Sequence, residues 1–200
     1  MYEKAHVVLI ADQIHSRRHP DAVPAALEAL HDVPTALPVE RTVGDEIQGL
    51  FTHPGSVVAA VLSLTRLGGW RIGVGIGPVE QPLPTSTRAA RGPAFVRARS
   101  ALEAARGAPS SFRVDADTAD PKRFQTVMWL LLPYVSARSD KMWEAVELMQ
   151  AGLSQGQIAD RLGITQGAVS RRLAGARTVE VDAGTALAVV ELTRLQREVT

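Results

Sequence analysis

Two groups of side chains in this chain have the types and spacing to do chemistry. The first lies near the C-terminus, in Gln155-Gly-Gln-Ile158-Ala159-Asp-Arg-Leu162-Gly163-Ile164-Thr165-Gln166-Gly-Ala-Val169-Ser170-Arg171-Arg172-Leu173-Ala174. Ser154 and Thr165 stand where two helix N-caps belong, because their short oxygens can accept the unpaired first-turn N–H groups. Gly163 follows Leu162 at the turn between them, where a left-handed backbone costs glycine nothing. Ala159 is small where the helices would cross, and Ile158, Leu162, Ile164, Val169 and Leu173 recur at helical spacing. This spacing predicts a helix-turn-helix over 154–174, whose second helix is built to enter the DNA major groove. It leaves Gln166, Gly167, Ser170, Arg171 and Arg172 pointing outward, with Thr165 opening the helix. Glutamine suits adenine and arginine suits guanine, so Gln166, Ser170 and Arg171 are expected at base edges. Gln155, Arg172 and Arg177 are expected at phosphates. Residues 161–177 carry Arg161, Arg171, Arg172 and Arg177 and no acidic residue.

The second group is acidic. Asp12 directly follows the apolar run His6-Val-Val-Leu-Ile-Ala11, and Asp45-Glu46 follows Gly44 at a turn. A carboxylate at a strand end and another on a neighbouring hairpin can converge on a hard divalent cation such as magnesium. The same carboxylates could instead cap turn N–H groups. Other candidates carry less. The glycines of Gly73-Val-Gly-Ile-Gly77 alternate along a strand and precede Pro78, so they mark close backbone packing or a bend rather than a dinucleotide site. His15 and His19 have no evident third ligand for zinc. Arg88, Arg91, Arg97, Arg99 and Arg106 form a basic run, either a solvated face or a contact for phosphate.

The elements that must position these groups fall into three segments. At 200 residues, with 46% apolar and 22% charged side chains, the chain has the composition of one medium or two small globular domains. A net charge of +1 means that any DNA affinity must come from a local patch. The absence of cysteine removes disulfides, thiolate zinc sites and cysteine nucleophiles. No signal pattern or membrane-length apolar run is present, which sets cytoplasm and no membrane partner as the expectation. Residues 1–114 alternate short strands with helices: a strand at His6–Ala11, helices at 21–31, 56–67 and 94–105, a strand at 70–79, and a closing strand at 111–114. Thr42–Phe51 reads as one arm of a hairpin around Gly44-Asp45. Helices crossing between strands imply a sheet with helices on one face. Residues 115–121, with Asp115, Asp117, Asp120 and Pro121, read as a linker. Residues 122–200 read as helical, with an apolar helix at 122–135 interrupted or kinked at Pro133 and a final helix at 183–197.

The N-terminal landmarks (Ala11-Asp12 with Ser16 beyond it, Gly44-Asp45-Glu46-Ile-Gln-Gly49, Arg71–Gly77 and Gly92-Pro-Ala-Phe-Val-x-Ala98-Arg99) and the C-terminal motif resemble the SatD family over nearly the whole chain. More distantly, the N-terminal part resembles nucleotidyl cyclase and GGDEF domains, which are ferredoxin-like sheets holding magnesium against a nucleotide. That resemblance implies Asp12 and Asp45 as metal ligands, with Glu46 and Arg99 beside the nucleotide. It also has gaps. Phe95 stands where the cyclase pattern has asparagine, and Val43 replaces the first GGDEF glycine. The expectation is therefore an α+β protein: a ferredoxin-like, cyclase-like domain followed by an all-α helix-turn-helix domain. It would bind double-stranded DNA as a homodimeric transcriptional regulator, with the first domain sensing a nucleotide or dimerising rather than catalysing. A magnesium-dependent nucleotide enzyme and a protein-interaction module are the alternatives.

Overall fold

The computed structural model describes residues 5–118 and 120–199; residues 1–4, Ala119 and Thr200, which the expected segments include, lie outside it. The architecture is a mixed α and β fold. Five strands, β1 (His6–Gln13), β2 (Leu37–Arg41), β3 (Glu46–Phe51), β4 (Trp70–Gly77) and β5 (Phe112–Ala116), form one sheet in the order β2-β3-β1-β4-β5. All neighbours are antiparallel except β4 and β5, which are parallel. Between the strands lie α1 (Val23–Ala29), α2 (Pro54–Leu67) and α3 (Pro93–Ala104). After β5 come α4 (Lys122–Ser136), α5 (Asp140–Gln150), α6 (Gln155–Leu162), α7 (Gln166–Gly175) and the long α8 (Thr178–Glu198).

Strand β1 is central because it can be buried on both faces: Val7 to Ala11 are all buried, and an unbroken apolar run suits a strand covered above and below. Val7, Leu9 and Ala11 point to the face covered by α1, α2, α4 and α8. Val8 and Ile10 point to the opposite face, covered by Ala94, Ala98 and Leu102 of α3. Helices thus lie on both faces, where the sequence implied one. The alternating glycines explain the second face. A Cβ on Gly73 would lie 2.3 Å from the Leu102 nitrogen, and one on Gly75 would lie 2.1 Å from the Ala98 nitrogen. The backbone of α3 occupies the space that side chains of β4 would otherwise fill.

Other elements differ from their expected bounds for local reasons. The strand after the hairpin turn starts at Glu46, and residues 42–45 form the turn, with Gly44 at φ 64°. Its partner β2, Leu37–Arg41, has a bulge and only five residues, too short for a periodic signal. Pro133 lies in the last turn of α4 and does not end it, because the helix needs to continue only to Ser136. Strand β5 runs on to Ala116, into the stretch that read as a linker. Helix α4 then packs on the first face through Phe124, Met128 and Leu132. It also covers the exposed edge of β5: Trp129 Nε1 donates to the Phe112 carbonyl (2.9 Å) and Gln125 Oε1 accepts from the Val114 N–H (3.2 Å), satisfying groups that an edge strand leaves open. The end of α8 is fastened likewise, with Gln196 Nε2 donating to the Ala5 carbonyl at 2.9 Å.

Helices α5, α6 and α7 have an apolar cluster of their own, built on Ala145, Val146, Ile158, Ala159, Val169, Leu173 and Ala176. They join the rest through Trp143, which lies between two guanidinium groups. Arg66 of α2 is 4.5 Å from its ring centroid and Arg138 is 4.7 Å away. Arg138 also donates to the Ala176 carbonyl at 2.8 Å.

Candidate functional site

The α6–α7 pair is set by local chemistry. Ser154 caps α6 in a reciprocal box with Gln157: the Gln157 N–H donates to Ser154 Oγ, and the Ser154 N–H donates to Gln157 Oε1 at 2.9 Å. Such boxes fix where a helix starts. Gly163 takes φ 62° and ψ 35°. Thr165 Oγ1 then accepts from the Ala168 N–H at 3.2 Å to start α7. Val169 and Leu173 are buried on one side of α7, while Gln166, Gly167, Ser170 and Arg171 are exposed on the other. Thr165, Gln155 and Arg177 are exposed as well. The basic positions are not equivalent. Arg172 is half-buried and donates to Glu144 of α5 at 2.9 Å, and Arg177 pairs with Glu180 at 3.2 Å. Arg171 makes no ion pair among the described residues. Periodicity alone could not separate Arg171 from Arg172; the facing helix does.

The acids meet at one end of the sheet. Register places Asp12 opposite Glu46 of β3 on one side and Arg71 of β4 on the other. Arg71 donates to Asp12 Oδ2 at 2.7 Å. The turn brings Asp45 into hydrogen-bond contact with Asp12, and the Asp45 carbonyl accepts from the Gln13 N–H at 3.3 Å. Burial, followed by the hydrogen bond and repulsion from Asp45, pushes the Asp12 carboxyl above its ordinary pKa; Arg71 opposes this. The Ser16 hydroxyl, donating to Asp45, holds that carboxylate below its ordinary value. The two carboxyls therefore titrate as an interacting pair, Asp12 shifted up and Asp45 down.

Glu46 is occupied differently. Arg99 of α3 grips it with both guanidinium nitrogens, Nη2 donating to Oε1 at 2.8 Å, and Thr42 Oγ1 donates to the same carboxylate at 2.7 Å. Among the described residues, no set of three His, Cys, Asp or Glu side chains is placed to hold a metal ion. Asp12 and Asp45 suit a hard cation in kind, since carboxylate oxygens are its preferred ligands. The position of Glu46 beside them is already filled by Arg99. A cleft of about 630 Å³ opens over this corner, lined by Asp12, Asp45, Glu46, Gln48, Arg88 and Arg99. Arg88 reaches it because the long loop after β4 is fastened to the far edge of the sheet: Gln48 Nε2 donates to the Thr87 carbonyl at 3.1 Å, and Thr87 Oγ1 donates to the Pro38 carbonyl. Arg71, Thr42 and Gln48 carried no expected role in the site, since only strand register and loop path bring them here.

No family model matches the chain, and no curated protein matches it. Among solved structures, a regulator of polyketide synthase expression from Bifidobacterium adolescentis is similar at 14% identity and a TM-score of 0.30, covering 98% of this chain and 82% of that one. That likeness is too slight to carry a fold or a function. No helix among the described residues is long and apolar enough to cross a membrane.

Proposed function

We propose that this chain is a DNA-binding transcriptional regulator in which α6 and α7 are the helix-turn-helix and α7 is the recognition helix. One observation carries the reading. Gln166, Ser170 and Arg171 line an exposed face of α7, and Arg171 has no acidic partner among the described residues, while the opposite face is anchored by Val169 and Leu173. A rigid helix presenting amide, hydroxyl and guanidinium groups at these spacings suits base edges. Gln155 and Arg177 flank it as phosphate contacts, and Arg172 joins them on leaving Glu144. One short helix reads few base pairs, so a homodimer on a two-fold site is the expected working form, in the cytoplasm.

The sheet serves ligand sensing, dimerisation or both. We read it as ferredoxin-like and cyclase-like, in keeping with the SatD resemblance. The order β1-α1-β2-β3-α2-β4, with β1 lying antiparallel between β3 and β4, supports this as a split β-α-β pattern. Footprinting on genomic fragments tests the function. Wild type should protect discrete sites, and Arg171→Ala should lose them. Occupancy that is absent in wild type, or unchanged in the variant, overturns the reading; a protein partner lost by Arg171→Ala with DNA untouched would favour an interaction module.

The meeting of Asp12 and Asp45 favours a second reading, magnesium-dependent chemistry on a nucleotide. Those two carboxyls would hold the ion, which would neutralise phosphate charge. Phe95 packs into the apolar cluster beneath α3 and offers no amide where the cyclase pattern has one. Turnover of a nucleoside triphosphate that Asp12→Ala abolishes would replace the regulator reading.

A further inference from the structure

Helix α8 carries apolar side chains in two directions. Val181, Ala188, Leu192 and Leu195 are buried and close the core over the sheet. Leu187 and Val190, three residues apart and so on one side of the helix, are 49% and 60% exposed. Helix α4 repeats the pattern. Met128, Leu131 and Leu132 point inward, while Leu130 and Tyr134, four residues apart, are 68% and 49% exposed. The two helices pack on each other. A Cβ on Gly184 would lie 3.0 Å from Leu131 Cδ1, and Asp120 acts electrostatically on Arg194. The start of α8 therefore lies beside the end of α4, and its end beside the start of α4. The pair is antiparallel, and Leu130, Tyr134, Leu187 and Val190 form an apolar stripe on its solvent side.

We propose that this stripe is where two copies of the chain meet about a two-fold axis. Area, charge and position each favour a second copy as the occupant. Four large side chains left half to two-thirds open expose on the order of 400 Å² of apolar surface, as much as the largest patch on a typical monomer. Paired with its own copy, and with the smaller side chains between included, the stripe would bury on the order of 1,200 Å², the lower end for a stable specific interface. A face that meets itself must not carry unpaired charge, because each charge then approaches its own copy. Here the bordering arginines are neutralised within the chain: Arg194 by Glu191 at 3.1 Å and by Glu198, and Arg123 by Asp120 at 3.4 Å. Such a neutral apolar stripe selects neither an acidic nor a basic partner and offers DNA phosphates nothing. Position agrees. Helix α8 begins just beyond the end of α7, and Leu187 and Val190 lie about ten residues along it, or roughly 15 Å. A two-fold axis through the stripe doubles that to roughly 30 Å, close to the ~34–36 Å between recognition helices on successive turns of one DNA face.

The inference takes up the two-fold form that the DNA-binding reading requires, but its test needs no DNA, so the two can fail separately. Sedimentation velocity on the full chain over a dilution series should give the mass of two chains at micromolar concentration. Leu130→Glu/Leu187→Glu, which alters only exposed positions, should weaken self-association at least tenfold. Val43→Glu/Val96→Glu, at exposed apolar positions elsewhere, should change it less than twofold. Circular dichroism checks that both variants fold. The chain has no cysteine, so single cysteines report proximity without background, and they decide the matter if the first variant unfolds. With a short bis-maleimide, Leu130→Cys or Leu187→Cys should form a covalent dimer, while Val43→Cys and Val96→Cys should stay monomeric. The proposal is overturned if wild type is monomeric at hundreds of micromolar, if both glutamate variants weaken association equally, or if neither stripe cysteine cross-links more than the controls. A monomeric wild type whose Leu130→Glu/Leu187→Glu variant loses a different protein partner, or DNA, would assign the face to that partner and overturn it as well.

Discussion

Gly75→Ala should unfold or severely weaken the protein through a contact that involves no side chain of the partner helix. The added Cβ would sit 2.1 Å from the Ala98 nitrogen and 2.2 Å from the Ala94 carbonyl oxygen. Ordinary contact begins near 3.4 Å, so α3 would have to retreat by roughly 1 Å. Backbone atoms in mid-helix cannot swing aside as a flexible side chain can. Inserting a methyl into a packed core typically costs about 1–3 kcal/mol, and occasionally more; backbone on both sides of the new group places this case at about 3 kcal/mol or above. Retreat of α3 would also pull Arg99 away from Glu46. The comparison variant is Gly55→Ala in α2, where a Cβ meets nothing within 4 Å and φ is not positive. There the exchange should raise stability by about 0.4–1 kcal/mol by restricting the unfolded chain. Urea denaturation followed by circular dichroism measures both. A Gly75→Ala midpoint matching wild type within about 0.5 kcal/mol would refute the close packing of α3 on β4, and with it the placement of Arg99.

The remaining predictions concern the two sites and their junction. Arg171→Ala should lower affinity for a footprinted site by about 1–3 kcal/mol without changing the melting temperature, as read by fluorescence anisotropy and thermal denaturation. Arg172→Ala and Glu144→Ala should each cost stability, and a double-mutant cycle should couple them by about 0.2–1 kcal/mol, the range for a partly exposed ion pair; zero coupling would argue against the pair. The raised pKa of Asp12 means that the folded state holds a proton the unfolded chain releases, so this residue makes stability fall as pH rises above its ordinary value of 3.8. Asp45 is shifted downward and acts in the opposite sense only below that value. Asp12→Asn should therefore flatten the decline in stability above pH 4; an unchanged slope in denaturation midpoints would exclude the upward shift of Asp12. Trp143→Ala should cost about 1–3 kcal/mol, since it removes a partly buried ring that two guanidiniums approach at 4.5 and 4.7 Å. A loss below 1 kcal/mol would show that the ring does not join α2 to α5.

Some features were legible because they depend on residues close in sequence. The capping roles of Ser154 and Thr165, the left-handed Gly163 and the buried positions of α6 and α7 all follow from hydrogen bonds and φ/ψ limits within a few residues. The unbroken apolar run of β1 announced a buried strand, and the alternating glycines of β4 announced close packing without saying against what. Less visible were β2, whose bulge breaks the alternation, and the single-face expectation for the helices, which ignored what three small residues on β4 permit. The stretch from Asp115 to Pro121 looked like a linker because its acids and proline mask a strand end. The apolar faces of α4 and α8 then close over the same core as the sheet.

Sequence by itself determined the caps of α6 and α7, which faces are apolar, and where Asp12, Asp45 and the α7 arginines stand along the chain. Only the tertiary structure decided which partners those residues have. Strand register set Arg71 against Asp12, the glycine-lined face brought Arg99 to Glu46, and the neighbouring helix took Arg172 while leaving Arg171 in solvent. The physical reason is range. Caps and turns are set by backbone geometry over a few residues, whereas a charge finds its partner through packing summed over the whole chain, which short-range pattern does not encode.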